Sequence, residues 1–494
     1  MRRPNVLWIC TDQQRWDTLS FLGHAGARTP NIDALAARGT AFDRAYCQSP
    51  ICTPSRASFL SGRYPIAHQN HRNGNIGFRE DIPLVPKAFR DAGYETGLIG
   101  KFHLSRAKGM VEARPEHDGY SEFYWSHHPD ADWDEGHDYQ DWLVEKGVDA
   151  KSLHDPARVY GPGAAAEHHQ TTWAGERARD FIRRHADTPW FLTINLFDPH
   201  PPFDPPASYL ERFDRADMPP PIFRESDIAH QERFTGVDQQ SKVAVDPRAG
   251  DPNSPGFRTA PARPDGANHD TPPEIYDGKY IRACYHAMIA MVDDMVGALV
   301  AELDETGQTR DTIVLFMSDH GEMLGDHGLI YKGARFYEGL TRVPMIFSWP
   351  GQFREGVVSE ALVELIDIPE TLLEAAGLPK MQGMQGKSLH PMLTGDVPAD
   401  THKPYVLCEY FDALGMPGGQ QTRASMFFDG RYKLNVYHGL EDVGELFDLQ
   451  TDPKEFDDLW SDPEHAAVKC DLMQRAFSAM MLVSGAGPER TAPY

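Results

Sequence analysis

The sequence predicts an α/β fold, a mostly parallel sheet flanked by helices, followed by a smaller antiparallel unit. Three observations predict it. Short apolar runs alternate with helical stretches over most of the chain. Four of those runs stop at polar, chemistry-bearing residues. Near residue 396 the pattern changes to short, closely spaced strands joined by a strong turn signal. The expected organisation is an α/β catalytic region over 1–395 with loop insertions at about 105–160 and 201–275, an α+β region over 396–480, and a tail over 481–494.

Taken in chain order, Asn5 to Cys10 is an apolar run that ends at Asp12. Arg2-Arg3 before it resembles the start of a signal peptide, but the run is short and stops at Thr11-Asp12-Gln13-Gln14, so a buried first strand is expected. Thr96 to Ile99 ends at Lys101, Trp190 to Phe197 ends near His200, and Thr312 to Met317 ends at Asp319-His320. In open α/β sheets ligands bind beyond the carboxyl ends of strands, so these distant segments are expected to converge on one pocket. Tyr280 to Leu303 carries Ile281, Tyr285, Met288, Val292, Met295, Leu299 and Leu303 at helical spacing and is expected to be a core helix, with Asp293 and Asp294 on its solvated face. The two insertions are rich in Pro, Asp, His and aromatic residues, as loops over a sheet are. Trp125, His127, His128, Trp133 and Trp142 fall in the first, where structural packing is the expected role. Ala424–Phe428, Tyr432–Tyr437 and Glu445–Leu449 read as antiparallel strands, with Asp429-Gly430 as the hairpin turn between the first two.

Composition narrows the function. The 494 residues suffice for a large core, and 48 Lys and Arg against 73 Asp and Glu give a net charge of −25, which disfavours nonspecific binding to nucleic acid or anionic lipid. The six cysteines are scattered without paired spacing, which suits a reducing, cytoplasmic setting and argues against a disulfide framework, and the sequence shows no zinc-type cysteine pair. No apolar run is long enough to suggest a membrane span.

The most informative stretch is Cys52-Thr53-Pro54-Ser55-Arg56. Pro54 is tolerated at a helix start, Thr53 before it is a good N-cap, and Cys52 is thereby expected at a helix mouth where N–H groups and the dipole favour an anion. Arg56 follows one turn along the same face. The run continues as Ala57-Ser58-Phe59-Leu60-Ser61-Gly62-Arg63-Tyr64-Pro65, and over this length it resembles the sulfatase family. There, Cys-x-Pro-x-Arg directs oxidation of the cysteine to formylglycine (3-oxoalanine), an aldehyde that is hydrated to a geminal diol. The resemblance extends over nearly the whole chain, including Asp448-Leu449-Gln450-Thr451-Asp452-Pro453-Lys454-Glu455, and implies an alkaline-phosphatase-like core.

By that resemblance, Asp12, Gln13, Asp319 and His320, with the modified Cys52, form the metal set. Many sulfatases have Asp-Asp and Asp-Asn where Gln13 and His320 stand; this departure puts calcium in doubt and brings manganese forward. It also resembles the branch containing phosphonate monoester hydrolases and choline-sulfatase-like enzymes. Gly100-Lys101-Phe102-His103-Leu104, Phe197-Asp198-Pro199-His200-Pro201 and Lys332 match the family's cationic and proton-transferring positions. Asn73, in the turn-like Arg72-Asn73-Gly74, is a candidate substrate contact, and His327 in Asp326-His327-Gly328 is expected to be structural.

The implied reaction is hydrolysis of a sulfate monoester. The diol attacks sulfur, Arg56 and the metal stabilise the attacking oxygen, and Lys101, His200 and Lys332 neutralise the transferring group. His200 protonates the departing alcohol, and His103 takes a proton as the sulfated hemiacetal opens. The main alternative is a phosphonate monoester hydrolase or phosphodiesterase with the same machinery; Gln13, His320 and the position of Lys332 favour it, whereas Lys101 and His103 favour sulfate. A third reading, a catalytically dead binder of sulfated ligands, predicts losses in these positions, and none is visible. The expected partners are a small anionic sulfate ester, a formylglycine-generating enzyme and further copies of the chain.

Overall fold

The structure is a computed structural model that describes residues 3–485 except 108–109, 130–132, 134, 154–158, 238–243, 251–272, 274 and 415–420. Its centre is an eight-stranded sheet. In chain order the strands are β1 (Asn5–Thr11), β2 (Thr40–Phe42), β3 (Ala45–Tyr46), β4 (Glu95–Gly100), β5 (Glu122–Trp125), β6 (Trp190–Asn195), β7 (Thr312–Ser318), β8 (Arg342–Val343), β9 (Met345–Ser348), β10 (Val357–Ser359), β11 (Val363–Glu364), β12 (Val406–Phe411), β13 (Arg423–Phe428), β14 (Tyr432–His438) and β15 (Gly444–Asp448). The large sheet runs β10-β2-β9-β7-β1-β6-β4-β5; β11-β3-β8 form a small sheet and β12-β13-β14-β15 an antiparallel one.

The four runs that end in functional residues are β7, β1, β6 and β4. They lie side by side and parallel, so their carboxyl ends form one continuous ledge. Every residue of β1, β6 and β7 is buried, as expected for central strands covered on both faces. The run Trp190–Phe197 is longer than its strand, because the chain leaves the ladder after Asn195. Gly100 closes β4 at φ +103°, and a Cβ there would stand 1.9 Å from the Asn195 carbonyl oxygen. Only glycine lets β4 and β6 approach so closely just before Lys101.

The helix Gly278–Glu305 packs on the sheet with its predicted stripe buried. It has the length and apolar character of a membrane-spanning segment, yet most of it is buried inside the protein. Asp293 corrects the sequence reading. It is buried rather than solvated, and its carboxylate accepts the Asn31 and Ile32 backbone N–H groups at 3.0 and 2.8 Å, capping the helix Pro30–Ala37 from another element. Asp294 does face outward, toward Tyr209 and Arg212.

The insertion at 105–160 is not all loop. It contributes β5, paired parallel to β4, and the helices Asp138–Glu145 and Ala150–Leu153. The described part of 201–275 includes the helices Ala207–Leu210 and Ser226–Glu232. At the C-terminal end the predicted hairpin is present, with Gly430 at φ +97° between β13 and β14. Its sheet has a fourth strand, β12, that the turn signals did not mark. The helix Ala466–Val483 runs past residue 480, so the tail begins later than expected, and 486–494 lie outside the described residues.

Candidate active site

Cys52 opens the helix Cys52–Ser61, every residue of which is buried. The expected cap is corrected here. The helix starts at Cys52 itself, and the Thr53 hydroxyl has no hydrogen-bond partner among the described residues. The Thr53 N–H instead donates to Asn73 Oδ1 at 3.0 Å. Asn73, expected to touch substrate, is thus the remote cap of the helix that Cys52 opens.

The ends of β1 and β7 bring the metal candidates to this helix start. Single donor atoms of Asp12, Cys52, Asp319 and His320 all lie within 4.8 Å of one another, and all four residues are buried. The Cys52 thiol lies 3.6 Å from Asp12 Oδ1 and its Sγ is 3.2 Å from His320 Nε2. The other ring nitrogen, His320 Nδ1, is 2.9 Å from the Gly321 carbonyl oxygen, to which it donates, so Nε2 is the atom aimed at the site. Asp319 Oδ1 accepts the backbone N–H groups of Gln13 and His320, each at 2.9 Å. Asp319 Oδ2 is 2.9 Å from an Arg56 nitrogen but accepts no directed hydrogen bond among the described residues. Two carboxylates, an imidazole and an amide oxygen around an under-satisfied buried oxygen suit a divalent cation, and the donor set fits one.

Gln13 has φ +71°, a left-handed turn stabilised by the hydroxyl of Tyr285, which donates to the Gln13 carbonyl at 2.5 Å and accepts from Arg15 N–H at 2.9 Å. Its side-chain amide is oriented without ambiguity. The NH₂ donates to Glu322, while Oε1 accepts from Lys332 Nζ at 2.7 Å and therefore faces the site. Glu322, fully buried, also accepts the Leu324 and Tyr331 N–H groups.

The cations crowd the same point. Lys332 Nζ is 2.9 Å from Cys52 Sγ, and Lys101 Nζ is 3.8 Å from it and 2.7 Å from Asp12 Oδ2. Arg56 is placed differently from its expected role on the attacking oxygen. Its guanidinium reaches Asp12 Oδ2 at 3.0 Å, Asp319 Oδ2 at 2.9 Å and the Lys101 carbonyl at 2.9 Å, so in this state it braces the two carboxylates. Burial and Asp12 push the Cys52 thiol up, but Lys101, Lys332 and His320 outweigh them and hold it below its ordinary value. Burial pushes His320 down while Asp319 and Cys52 push it up more, to about 9.

His103 and His200 flank this centre. His200 Nδ1 is 2.6 Å from the Pro201 carbonyl oxygen, and burial, then Lys332, hold the ring well below its usual range. It starts neutral in the free protein; an anion arriving beside it would favour the protonated form that an acid role requires. His103 is likewise held neutral by burial and by Lys101, as suits a base. Its ring lies 4.6 Å from that of His127, and His128 lies 5.2 Å from His200, so two histidines of the first insertion line the wall behind both. His327, by contrast, stacks on Tyr337 at 4.0 Å, a packing role. Sequence reading missed Glu322, whose place directly after Asp319-His320-Gly321 was an available signal, and expected only structural packing of His127 and His128.

Comparison with known proteins gives a consistent picture. The family model described as "Sulfatase" matches residues 4–378, and one described as "N-sulphoglucosamine sulphohydrolase, C-terminal" matches residues 325–480. An arylsulfatase of Clostridium perfringens is 28 % identical over 94 % of this chain and 91 % of its own length. The multifunctional alkaline phosphatase superfamily protein PehA of Trinickia caryophylli is 30 % identical, covering 97 % of this chain and 95 % of its own. Among solved structures, the phosphonate monoester hydrolase of Agrobacterium radiobacter superposes with a TM-score of 0.79 at 26 % identity, over 97 % of this chain and 96 % of its own.

Proposed function

The chain belongs to the sulfatase family, within the alkaline phosphatase superfamily, and from that premise we propose that it hydrolyses sulfate monoesters with a nucleophile made from Cys52. The observation that carries the reading is the position of Cys52 Sγ, at a helix start between Asp12, His320, Lys101 and Lys332. Conversion of Cys52 to formylglycine supplies a hydrated aldehyde whose first hydroxyl attacks sulfur and whose second allows sulfate to be expelled. An unmodified thiol has no second hydroxyl and no comparable exit. A divalent ion, manganese or calcium, held by Asp12, Gln13, Asp319 and His320 would screen the ester oxygens and orient the attacking atom.

The chain's own groups do the rest. Arg56 holds Asp12 and Asp319 in register. Lys101 and Lys332 present ammonium groups to the anion, where a pre-placed cation is worth far more than in water. His200 takes a proton when the anion arrives and gives it to the departing alcohol; His103, neutral, accepts the proton of the second hydroxyl. Cys52→Ser and Cys52→Ala test the proposal: each abolishes multiple turnover, and wild-type steady-state rates in either one refute it.

A second reading, phosphonate monoester or phosphodiester hydrolysis, draws on Gln13 and His320 and on the structural likeness to phosphonate monoester hydrolases of Agrobacterium radiobacter and Silicibacter pomeroyi. Relative turnover of an aryl sulfate and a phenylphosphonate ester decides between the two.

A further inference from the structure

His103 stands at φ +55°, in the left-handed region that a non-glycine residue occupies only when something holds it there. The holder is a carboxylate from the first insertion. Glu112 Oε1 accepts the His103 N–H at 2.5 Å and the Trp125 indole N–H at 2.8 Å; its Oε2 accepts the Leu104 N–H at 2.8 Å and the Ser105 N–H at 3.2 Å. Three successive backbone donors and an indole thus close around one carboxyl group that is 3 % exposed. Such a run of amide N–H groups is a natural anion cradle, here filled by a side chain of the protein itself.

Through Trp125 the same carboxylate reaches the end of the edge strand β5, which pairs with β4 beside Gly100. Trp125 in turn stacks on His127 and meets Trp133 edge-on, with ring centroids 6.0 and 5.1 Å apart. The backbone carrying His103 is therefore fixed from one side by β4 and from the other by the insertion, with Glu112 as the joint.

We propose that Glu112 is the positioning residue of His103, setting the imidazole against the residue-52 hydroxyl for the second half of hydrolysis. This rests on the sulfate-ester reading of the site. In that half-reaction the O–H bond of the remaining hydroxyl breaks and its proton passes to the His103 imidazole. The carbonyl forms again and the carbon–oxygen bond to the sulfo group breaks, with sulfate leaving on the electron pair. Glu112 touches no substrate; it acts by holding the ring that accepts the proton. The first half, in which the alcohol departs, does not call on His103.

The consequence is a split that general damage to the fold does not produce. Glu112→Gln offers one acceptor oxygen where the carboxylate offers two and turns an NH₂ toward backbone N–H groups. With metal-loaded, formylglycine-bearing enzyme and 4-nitrophenyl sulfate, stopped-flow mixing of E112Q gives a burst of one equivalent of 4-nitrophenol followed by a steady rate lower by about tenfold or more, the scale expected of a small misplacement. KM falls with kcat, so that kcat/KM stays near wild type. His103→Ala shows the same split. In metal-free protein the Trp125 indole N–H resonance, identified by its loss in Trp125→Phe, shifts in E112Q. Equal losses in kcat and kcat/KM with no burst overturn the proposal, as does an unmoved indole resonance. If E112Q fails to fold, Trp125→Phe, which removes one of the four donors, decides: a burst supports the assignment and wild-type kinetics overturn it. A wild-type enzyme that turns over neither ester, or an active one lacking formylglycine, defeats the reading of the site itself; normal wild-type turnover with no burst in the variants defeats only the role of Glu112.

Discussion

Glu322→Gln should weaken metal binding while leaving the metal ligands intact. The Glu322 carboxylate accepts three N–H groups, from Gln13, Leu324 and Tyr331, and is fully buried. A glutamine at 322 has one acceptor oxygen, so its NH₂ must face either the two backbone amides or the NH₂ of Gln13. The backbone amides cannot move, but Gln13 can rotate its amide by half a turn. That rotation places an N–H where Oε1 now meets Lys332 Nζ at 2.7 Å, turning a donor toward both the ammonium and the ion. Loss of one outer-shell orienting partner typically costs about 10- to 100-fold in affinity, or about 1.4 to 2.7 kcal/mol. Isothermal titration with Mn²⁺ and with Ca²⁺ reads this directly. Gln13→Asp in the E322Q background restores affinity, since a carboxylate needs no partner to present an oxygen. Equal affinity in wild type and E322Q, or no recovery in the double variant, refutes the argument.

Other consequences lie further from the metal set. Asn73→Ala removes the Thr53 N–H acceptor and costs about 1 kcal/mol of stability by denaturant unfolding, with KM unchanged; a raised KM at unaltered stability restores Asn73 as a substrate contact. Burial pushes the Glu409 carboxyl up to about 8, where one oxygen accepts the Ile66 N–H and the other has no partner among the described residues. Between about pH 4.5 and 8 the folded state keeps a proton that the unfolded state has lost, so stability falls as pH rises through that window, by at most about 1.4 kcal/mol per unit. Glu409→Gln flattens that slope, and a slope unchanged from wild type in urea titrations at pH 5 and pH 8 contradicts the assignment. Lys332→Met, which removes the ammonium 2.9 Å from Cys52 Sγ, lowers kcat by about 10²- to 10³-fold against aryl sulfate; a loss under tenfold counts against electrostatic stabilisation by that group.

What the sequence made legible follows from where physical constraints are local. β1, β4, β6 and β7 could be found because buried strands are written as unbroken apolar runs, and the ends of β1, β4 and β7 because Asp12, Lys101 and Asp319 interrupt that pattern abruptly. β5 was hidden, since its residues are mostly half-buried at a sheet edge and sit in a stretch rich in loop-forming residues. The capping errors share one cause. Thr53 has the right chemistry for a cap, yet the helix already opens at Cys52 and the Thr53 N–H donates to Asn73 from another segment, and Asp293 caps a helix distant in sequence. Tertiary partners of this kind leave no local pattern. The same holds for Glu112, which fixes His103 through backbone hydrogen bonds. The contacts of Arg56 were not legible, because its two carboxylate partners follow two separate strands.

Mass spectrometry of the peptide spanning residue 52, taken from enzyme that turns over an aryl sulfate with its metal bound, bears most directly on the central claim. The account predicts that sulfur at this position has been replaced by an aldehyde oxygen, in proportion to specific activity. A fully active preparation in which the unmodified thiol persists would contradict it.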